Sequence, residues 1–344
     1  MKIAVLGAGA IGAYVGGMLY RTGADVSLIA RGEHLRAIQK SGLRIITARH
    51  DITLRIPATD DPADVGPVDF VFLGVKAHQN LSIGAASAPL LGTGTVIVAA
   101  QNGVPWWYFH GSGGRHDGAR VESVDPGGHV SRLFPPERAI GCVVYCSTEV
   151  TDLGVVMHLD GSKFPVGEPC GGRSERLQAF SELMRAAGFR APMVRDIREQ
   201  IWIKLMGNAV LNPVSALTGA TLEEICRDPM TRQGVEVMMN EVLAVARAYG
   251  VTLRVSVAQR VAGAEAVGPH KTSMLQDLEA GKPLELDALV GAVIELGERA
   301  DVPTPNLRLA HALVRLRATQ PDRPGRRWSA DAASVATRSP TRTA

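Results

Sequence analysis

The chain has 344 residues, more than one hydrophobic core usually serves, so two domains are expected. Apolar residues make up 46% and aromatic ones only 5%, a balance that suits close-packed α/β structure and excludes a wholly disordered chain. The net charge of +3 gathers in Arg323, Arg326, Arg327, Arg338 and Arg342, beyond Leu316, so the near-neutral body lacks the clustered basic face that nucleic-acid binding requires.

Residues 318–344 are rich in Arg, Pro, Ser and Thr and read as a solvated, disordered tail. Cys142, Cys146, Cys170 and Cys226 show neither the paired spacing of a zinc site nor the density of a secreted scaffold. They read as reduced, mostly buried thiols. The apolar stretch from Met1 to Leu6 is too short for a signal peptide or a membrane span, which argues for a cytoplasmic location and no membrane partner.

Lys2 to Leu6 reads as a strand, followed by Gly7-Ala8-Gly9-Ala10-Ile11-Gly12 and a helical run from Ala13 to Arg21. In that context the glycines have separate tasks: Gly7 allows a tight turn, Gly9 leaves room for a pyrophosphate, and Gly12 lets the helix pack on the strand. The helix start, with its unpaired N–H groups, then meets the phosphates. Asp25 to Ile29 reads as the second strand, and at its end stands Ala30-Arg31-Gly32 rather than a carboxylate. A guanidinium there suits a 2′-phosphate, so NADPH is expected over NADH, although Glu33 is close enough to reach a ribose.

Val68 to Val75 and Thr95 to Ala100 read as buried parallel strands ending in Lys76 and in Gln101-Asn102-Gly103. Ligands of open α/β sheets bind outside such carboxyl ends, which places Lys76 and Asn102 near the cofactor; a solvated lysine and an ordinary turn are the alternatives. Pro105-Trp106-Trp107-Tyr108-Phe109 then suggests a lid beside the crevice. His110, His116 and His129 are dispersed and fix no metal. Ala139 to Ser147, Gly154 to Leu159 and Lys163 to Gly167 read as strands, the last two as a hairpin. Arg173 to Gly188 reads as a helix and Arg190 to Val194 as an edge strand. A Rossmann-type, doubly wound domain over residues 1–194 is expected, followed by an all-α domain over 195–317.

The first helix of that second domain, Ile197 to Asn212, carries Lys204, Asn208 and Asn212 at spacings of four, hence in one narrow stripe. Pro213 should kink or end it. Further on, Ser273-Met274-Leu275-Gln276-Asp277 precedes a turn, and Glu285 falls in the first turn of a last helix pair, where a carboxylate is favourable on electrostatic grounds alone. The alternatives are that Lys204 snorkels to water and that Ser273 is a plain polar helix residue.

Together with Val75-Lys76-Ala77, Trp202-Ile203-Lys204-Leu205, Asn212-Pro213 and Glu285-Leu286-Asp287, these segments resemble the ketopantoate reductase (2-dehydropantoate 2-reductase) family, in order from Met1 to about Leu316. The resemblance implies Lys204 as general acid, Glu285 as a carboxylate at the substrate and cofactor site, and Asn208, Asn212 and Ser273 as substrate-binding residues. Lys76 and Asn102 match positions near the cofactor. The implied activity is NADPH-dependent reduction of a small 2-oxo acid, ketopantoate, to (R)-pantoate on the route to pantothenate. Gln101 in place of a histidine, the long segment after Trp106 and Trp107, and Thr221-Leu222-Glu223 depart from the family pattern. A paralogous reductase of another 2-oxo acid and a non-catalytic NADPH-binding sensor are the other readings, and a homodimer is left open.

Overall fold

The computed structural model describes residues 1–320, so the five tail arginines lie outside the described residues, as does nearly all of the expected tail. Strands and helices alternate in the first half: β1 (Lys2–Leu6), α1 (Ala10–Tyr20), β2 (Asp25–Ile29), α2 (Gly32–Ser41), β3 (Leu43–Ile46), β4 (Asp51–Leu54), β5 (Ala58–Thr59) and β6 (Val68–Leu73). There follow α3 (Asn80–Gly84), β7 (Leu91–Ala99), α4 (His129–Leu133), β8 (Ala139–Cys142), β9 (Tyr145–Asp152), β10 (Val155–Lys163), β11 (Val166–Gly167) and α5 (Glu175–Ala186). After Asp196 the described elements are helical: α6 (Ile197–Thr218), α7 (Leu222–Arg227), α8 (Pro229–Ala248), α9 (Val257–Glu265), α10 (Ser273–Glu279), a π-helical turn (Asp287–Gly291) leading into α11 (Ala292–Arg299), and α12 (Pro305–Ala318).

One sheet has the order β11-β8-β7-β6-β1-β2-β5 and is parallel except for β11. The chain builds outward from β1 through β2 to β5, then returns to place β6 on the other flank of β1. That reversal makes β1 and β6 the switch point, where a crevice opens outside their carboxyl ends. The backbone N–H of Gly74, just past β6, donates to Leu6 O at 3.0 Å, which holds the two strand ends side by side.

A second sheet, β4-β3-β10-β9, covers the far side of α1. The sequence of α1 shows why the helix tolerates two sheets: it is apolar nearly all round, as a helix buried on every face must be. A side chain on Gly16 would meet Leu28 Cδ2 at 2.7 Å, and one on Gly17 would meet Ile45 Cδ1 at 2.4 Å, so small residues face both layers. Strands β3, β4 and β5 are short and half-exposed, and their alternation is too brief to stand out in the sequence.

Several expectations change. The hairpin is β9 with β10, rather than the two segments after Gly154, and it needs register shifts to form. Arg190 to Val194 contributes two isolated parallel bridges, to Lys163 and Val166, instead of a strand. Helix α6 does not end near Asn212; it runs through Pro213 to Thr218, closed by Gly219 in a left-handed cap. The Trp106–Phe109 segment is not a lid. Trp106, Trp107, Tyr108 and Phe109 are 3% exposed or less and pack Trp106 and Trp107 against Ile197 and Ile201, with Tyr108 and Phe109 in the helical core. Aromatic surface of that size is worth more buried than exposed, and all but the Trp107 indole, whose Nε1 has no hydrogen-bond partner among the described residues, find a polar partner where they carry a polar atom. Trp106 Nε1 donates to Phe134 O at 2.8 Å, and Trp202 Nε1 donates to Tyr108 Oη at 2.6 Å.

The two halves are further joined by Glu295, whose carboxylate accepts from the backbone N–H groups of Glu122 and Ser123, each at 2.8 Å. Val104 N–H donates to Ala288 O at 2.9 Å, directly beneath the crevice.

Candidate active site

At the end of β1, Gly7 takes φ +99°, and a Cβ there would lie 2.4 Å from Val75 Cγ1. A Cβ on Gly12 would lie 2.0 Å from Gly7 O, so no side chain fits between turn and helix. Gly9 is different: nothing stands within 4 Å of where its Cβ would be. Its side is open space, and α1 has no side-chain cap for the N–H groups of its first turn, which Ala10, Ile11 and Gly12 begin. Beside Ala8, this is a cradle with free donors and no competing side chain, and the pyrophosphate of a dinucleotide fits it.

Arg31 is exposed just past β2, where it precedes α2. Glu33 is taken up by Arg36, whose Nε donates to Glu33 Oε2 at 3.3 Å. Lys76, just past β6, forms an ion pair with Asp277 of α10, so a cofactor-domain lysine is tied to the helical domain.

Across the crevice, α6 projects Lys204 toward the end of β7. Its Nζ donates to Asn102 Oδ1 at 2.7 Å and to Val144 O at 2.5 Å. The other end of the same amide, Asn102 Nδ2, donates to Glu285 Oε2 at 3.3 Å, while Glu285 Oε1 accepts from Ala77 N–H at 3.4 Å. Lysine, amide and carboxylate thus form one chain of contacts across both domains. Burial pushes the Lys204 ammonium down to about 8, partly opposed by the nearby Glu285 carboxylate. Burial also raises the Glu285 carboxyl above its usual range, against the hydrogen bond from Asn102. Glu285 stands just ahead of the π-helical turn rather than in a first helical turn; its carbonyl accepts from Leu289 N–H at 3.2 Å. Cys142 and Cys146 lie near Lys204, but burial pushes both thiols up to about 12, so they stay protonated.

An ammonium carries three N–H groups, and two are used by Asn102 and Val144. The third is available to a ligand in the narrow cleft that Lys204, Asn208, Asn102 and Leu289 line. Asn208 therefore faces that cleft. Asn212, a turn further along α6, is 5% exposed and its Nδ2 is buried with no hydrogen-bond partner among the described residues. Ser273 is exposed at the start of α10, whose N-cap is Thr272.

Two parts of this arrangement carry no sequence signal. Val144 contributes only its carbonyl, which any residue has. Gln101 braces the crevice by donating to Val75 O at 2.9 Å and pairing its amide with that of Asn80. A glutamine and an asparagine 21 positions apart do not announce such a pair. Among the described residues no cluster of His, Cys, Asp or Glu could hold a metal, and no helix is long and apolar enough to cross a membrane.

A doubly wound sheet with a glycine cradle at its switch point, closed by a helical domain that presents a half-buried lysine, defines an NAD(P)-dependent oxidoreductase of two-domain type. Residues 3–106 match the family model described as ketopantoate reductase PanE/ApbA, and residues 196–318 match its C-terminal counterpart. The chain belongs to the ketopantoate reductase family. A 2-dehydropantoate 2-reductase of Mesorhizobium japonicum is 48% identical over 93% of this chain and 98% of its own length. A PanE/ApbA family ketopantoate reductase from Ralstonia eutropha superposes with a TM-score of 0.80 at 31% identity, covering 92% of this chain and 98% of that one. A 2-dehydropantoate 2-reductase from Geobacter metallireducens gives a TM-score of 0.81 at 28% identity, with coverage of 92% and 99%.

Proposed function

We propose that the protein reduces ketopantoate to (R)-pantoate with NADPH in the cytoplasm, for pantothenate synthesis. The observation that carries this reading is the half-buried Lys204 ammonium held by Asn102 just past β7, two strands from the glycine cradle in the same sheet. When bound, the nicotinamide supplies a hydride to the carbonyl carbon. The charge that develops on the carbonyl oxygen needs a donor at hydrogen-bond distance, and the remaining N–H of Lys204 provides both positive charge and the proton. An ordinary lysine, with a pKa of about 10.4, is a reluctant donor near neutrality; burial brings Lys204 to about 8 and so closer to working pH.

Asn102 orients the ammonium and is itself oriented by Glu285, which also places a carboxylate where it offsets the charge of Lys204. Asn208 on the same helix face supports a role in holding the substrate. Arg31, with Glu33 engaged by Arg36, supports recognition of a 2′-phosphate. Closure by the helical domain excludes water and brings the reacting carbons together.

The test is NADPH oxidation with ketopantoate, with NADH as control. Robust NADPH turnover supports the reading. Indifference to ketopantoate alongside turnover of another 2-oxo acid would move the protein to a paralogous reductase.

A further inference from the structure

The substrate class proposed above carries a carboxylate next to its carbonyl, yet Asn208, Asn212 and Ser273 are all neutral. A cation other than Lys204 stands near this end of the cleft. Arg260 of α9 lays its guanidinium against α6 at Gly207, one turn beyond Lys204: a Cβ on Gly207 would meet Arg260 Nη2 at 2.2 Å and both Cζ and Nε at 2.6 Å. The glycine is what lets the guanidinium reach the wall of α6 at that level.

Arg260 is mostly shielded from water, and burial lowers its affinity for its proton. It has no hydrogen bond or ion pair among the described residues. The contrast with its neighbours is informative. Arg227 and Arg232 both pair with Glu265, at the end of the same helix as Arg260, and Arg254 pairs with Glu199. A shielded guanidinium without an anion is costly, and such a group persists where a ligand supplies the missing charge.

Its surroundings indicate which ligand. Arg260 is close enough to Lys204 to disfavour the second positive charge, and it also acts on Tyr145, whose ring lies 5.8 Å from Lys204 Nζ. Lys204, Tyr145 and Arg260 are therefore neighbours around α6, with Arg260 seated at Gly207 next to the cleft-lining Asn208 and with Asn102 and Glu285 on the cofactor side. Lys76 is paired with Asp277, which leaves Glu285 as the one carboxylate set against Lys204 and gives Arg260 no anion of its own, so this region is one negative charge short.

We propose that Arg260 is the anchor for the substrate carboxylate, seated on Gly207 so that the adjacent carbonyl oxygen falls to Lys204. The assignment rests on the 2-oxo acid reductase reading. It adds that selection of an acid over a neutral analogue resides on α9. A planar guanidinium suits this task because it can engage both carboxylate oxygens at once.

The experiment compares ketopantoate with its primary amide, and (R)-pantoate with its amide as ligands of the NADP+ complex. It uses the wild type, Arg260→Met and Gly207→Ala. In Arg260→Met the KM for the acid should rise roughly 10- to 100-fold, the range for a charge-assisted hydrogen bond, with the KM for NADPH and the value for the amide unchanged. Gly207→Ala keeps every charge but displaces the guanidinium, and should weaken the acid in the same sense. An acid-to-amide ratio equal in the wild type and Arg260→Met would overturn the anchor, as would a lowered melting temperature with that ratio intact, which marks a structural arginine. Absence of wild-type turnover with retained carboxylate-dependent pantoate binding would instead remove the reaction and leave the anchor standing.

Discussion

Asn102 is gripped from both ends: its Oδ1 accepts from Lys204 Nζ at 2.7 Å and its Nδ2 donates to Glu285 Oε2 at 3.3 Å. The amide offers an acceptor at one end and a donor at the other, so its orientation is fixed by its two neighbours. Asn102→Asp replaces the donor with a second carboxylate oxygen facing Glu285 and puts a full negative charge against Lys204. The Lys204 ammonium should then hold its proton to higher pH, moving the alkaline limb of kcat/KM above about 8, and kcat should fall. Asn102→Ala should lower kcat/KM roughly 10- to 100-fold through the lost charge-assisted contact. Steady-state pH profiles of the two variants check both statements.

The sign of the pH dependence follows from the role of Lys204. Reduction requires the protonated amine, so kcat/KM for the ketone should be level below about 8 and decline as pH rises through that value. Oxidation of (R)-pantoate requires the neutral amine and should rise through the same value. Lys204→Ala should lower kcat roughly 10²- to 10⁴-fold and abolish the limb. A limb that persists unchanged in Lys204→Ala assigns it to another group.

The glycines of the first turn should separate fold from function. Gly9→Ala has nothing within 4 Å to strike, so its melting temperature should match the wild type while the KM for NADPH rises. Gly12→Ala drives a methyl to 2.0 Å from Gly7 O and should cost stability, on the order of 1–3 kcal/mol or more. Thermal unfolding and cofactor titration of the two proteins side by side provide the check.

Arg31 is exposed beyond β2 and makes no claim on the fold. Arg31→Ala should therefore raise the KM for NADPH about 10-fold or more, the loss of a charge-assisted phosphate contact, while that for NADH stays near its wild-type value. Equal effects on both cofactors would remove the 2′-phosphate role.

Lys76 and Asp277 join the two domains through an ion pair with side chains 31% and 15% exposed. A pair so placed is worth about 1 kcal/mol or less, so Asp277→Asn should lower kcat/KM by no more than roughly 5-fold. The wild type should lose a similar factor at high ionic strength, and the variant should not. Activity measured against added salt distinguishes the two.

How much of this was legible in the residue order depends on the range of the interactions. The glycine turn, the strands of the parallel sheet's centre and the Lys204–Asn208 stripe are local patterns, set by backbone sterics and helical period, and the chain shows them without its fold. The long aromatic run pointed to a lid because it stands beside the expected crevice where the α/β rhythm stops; its burial depends on α6, some ninety residues away, which supplies Trp202 as the partner of Tyr108. Pro213 signalled a helix end, but the cost of a lost backbone hydrogen bond was outweighed by burial of Leu211, Pro213 and Ala216 in the helical core. The meeting of Lys204 with Asn102 and Val144, and of Arg260 with Gly207, belongs to the tertiary structure alone, since each joins elements whose separation in sequence carries no period and no motif.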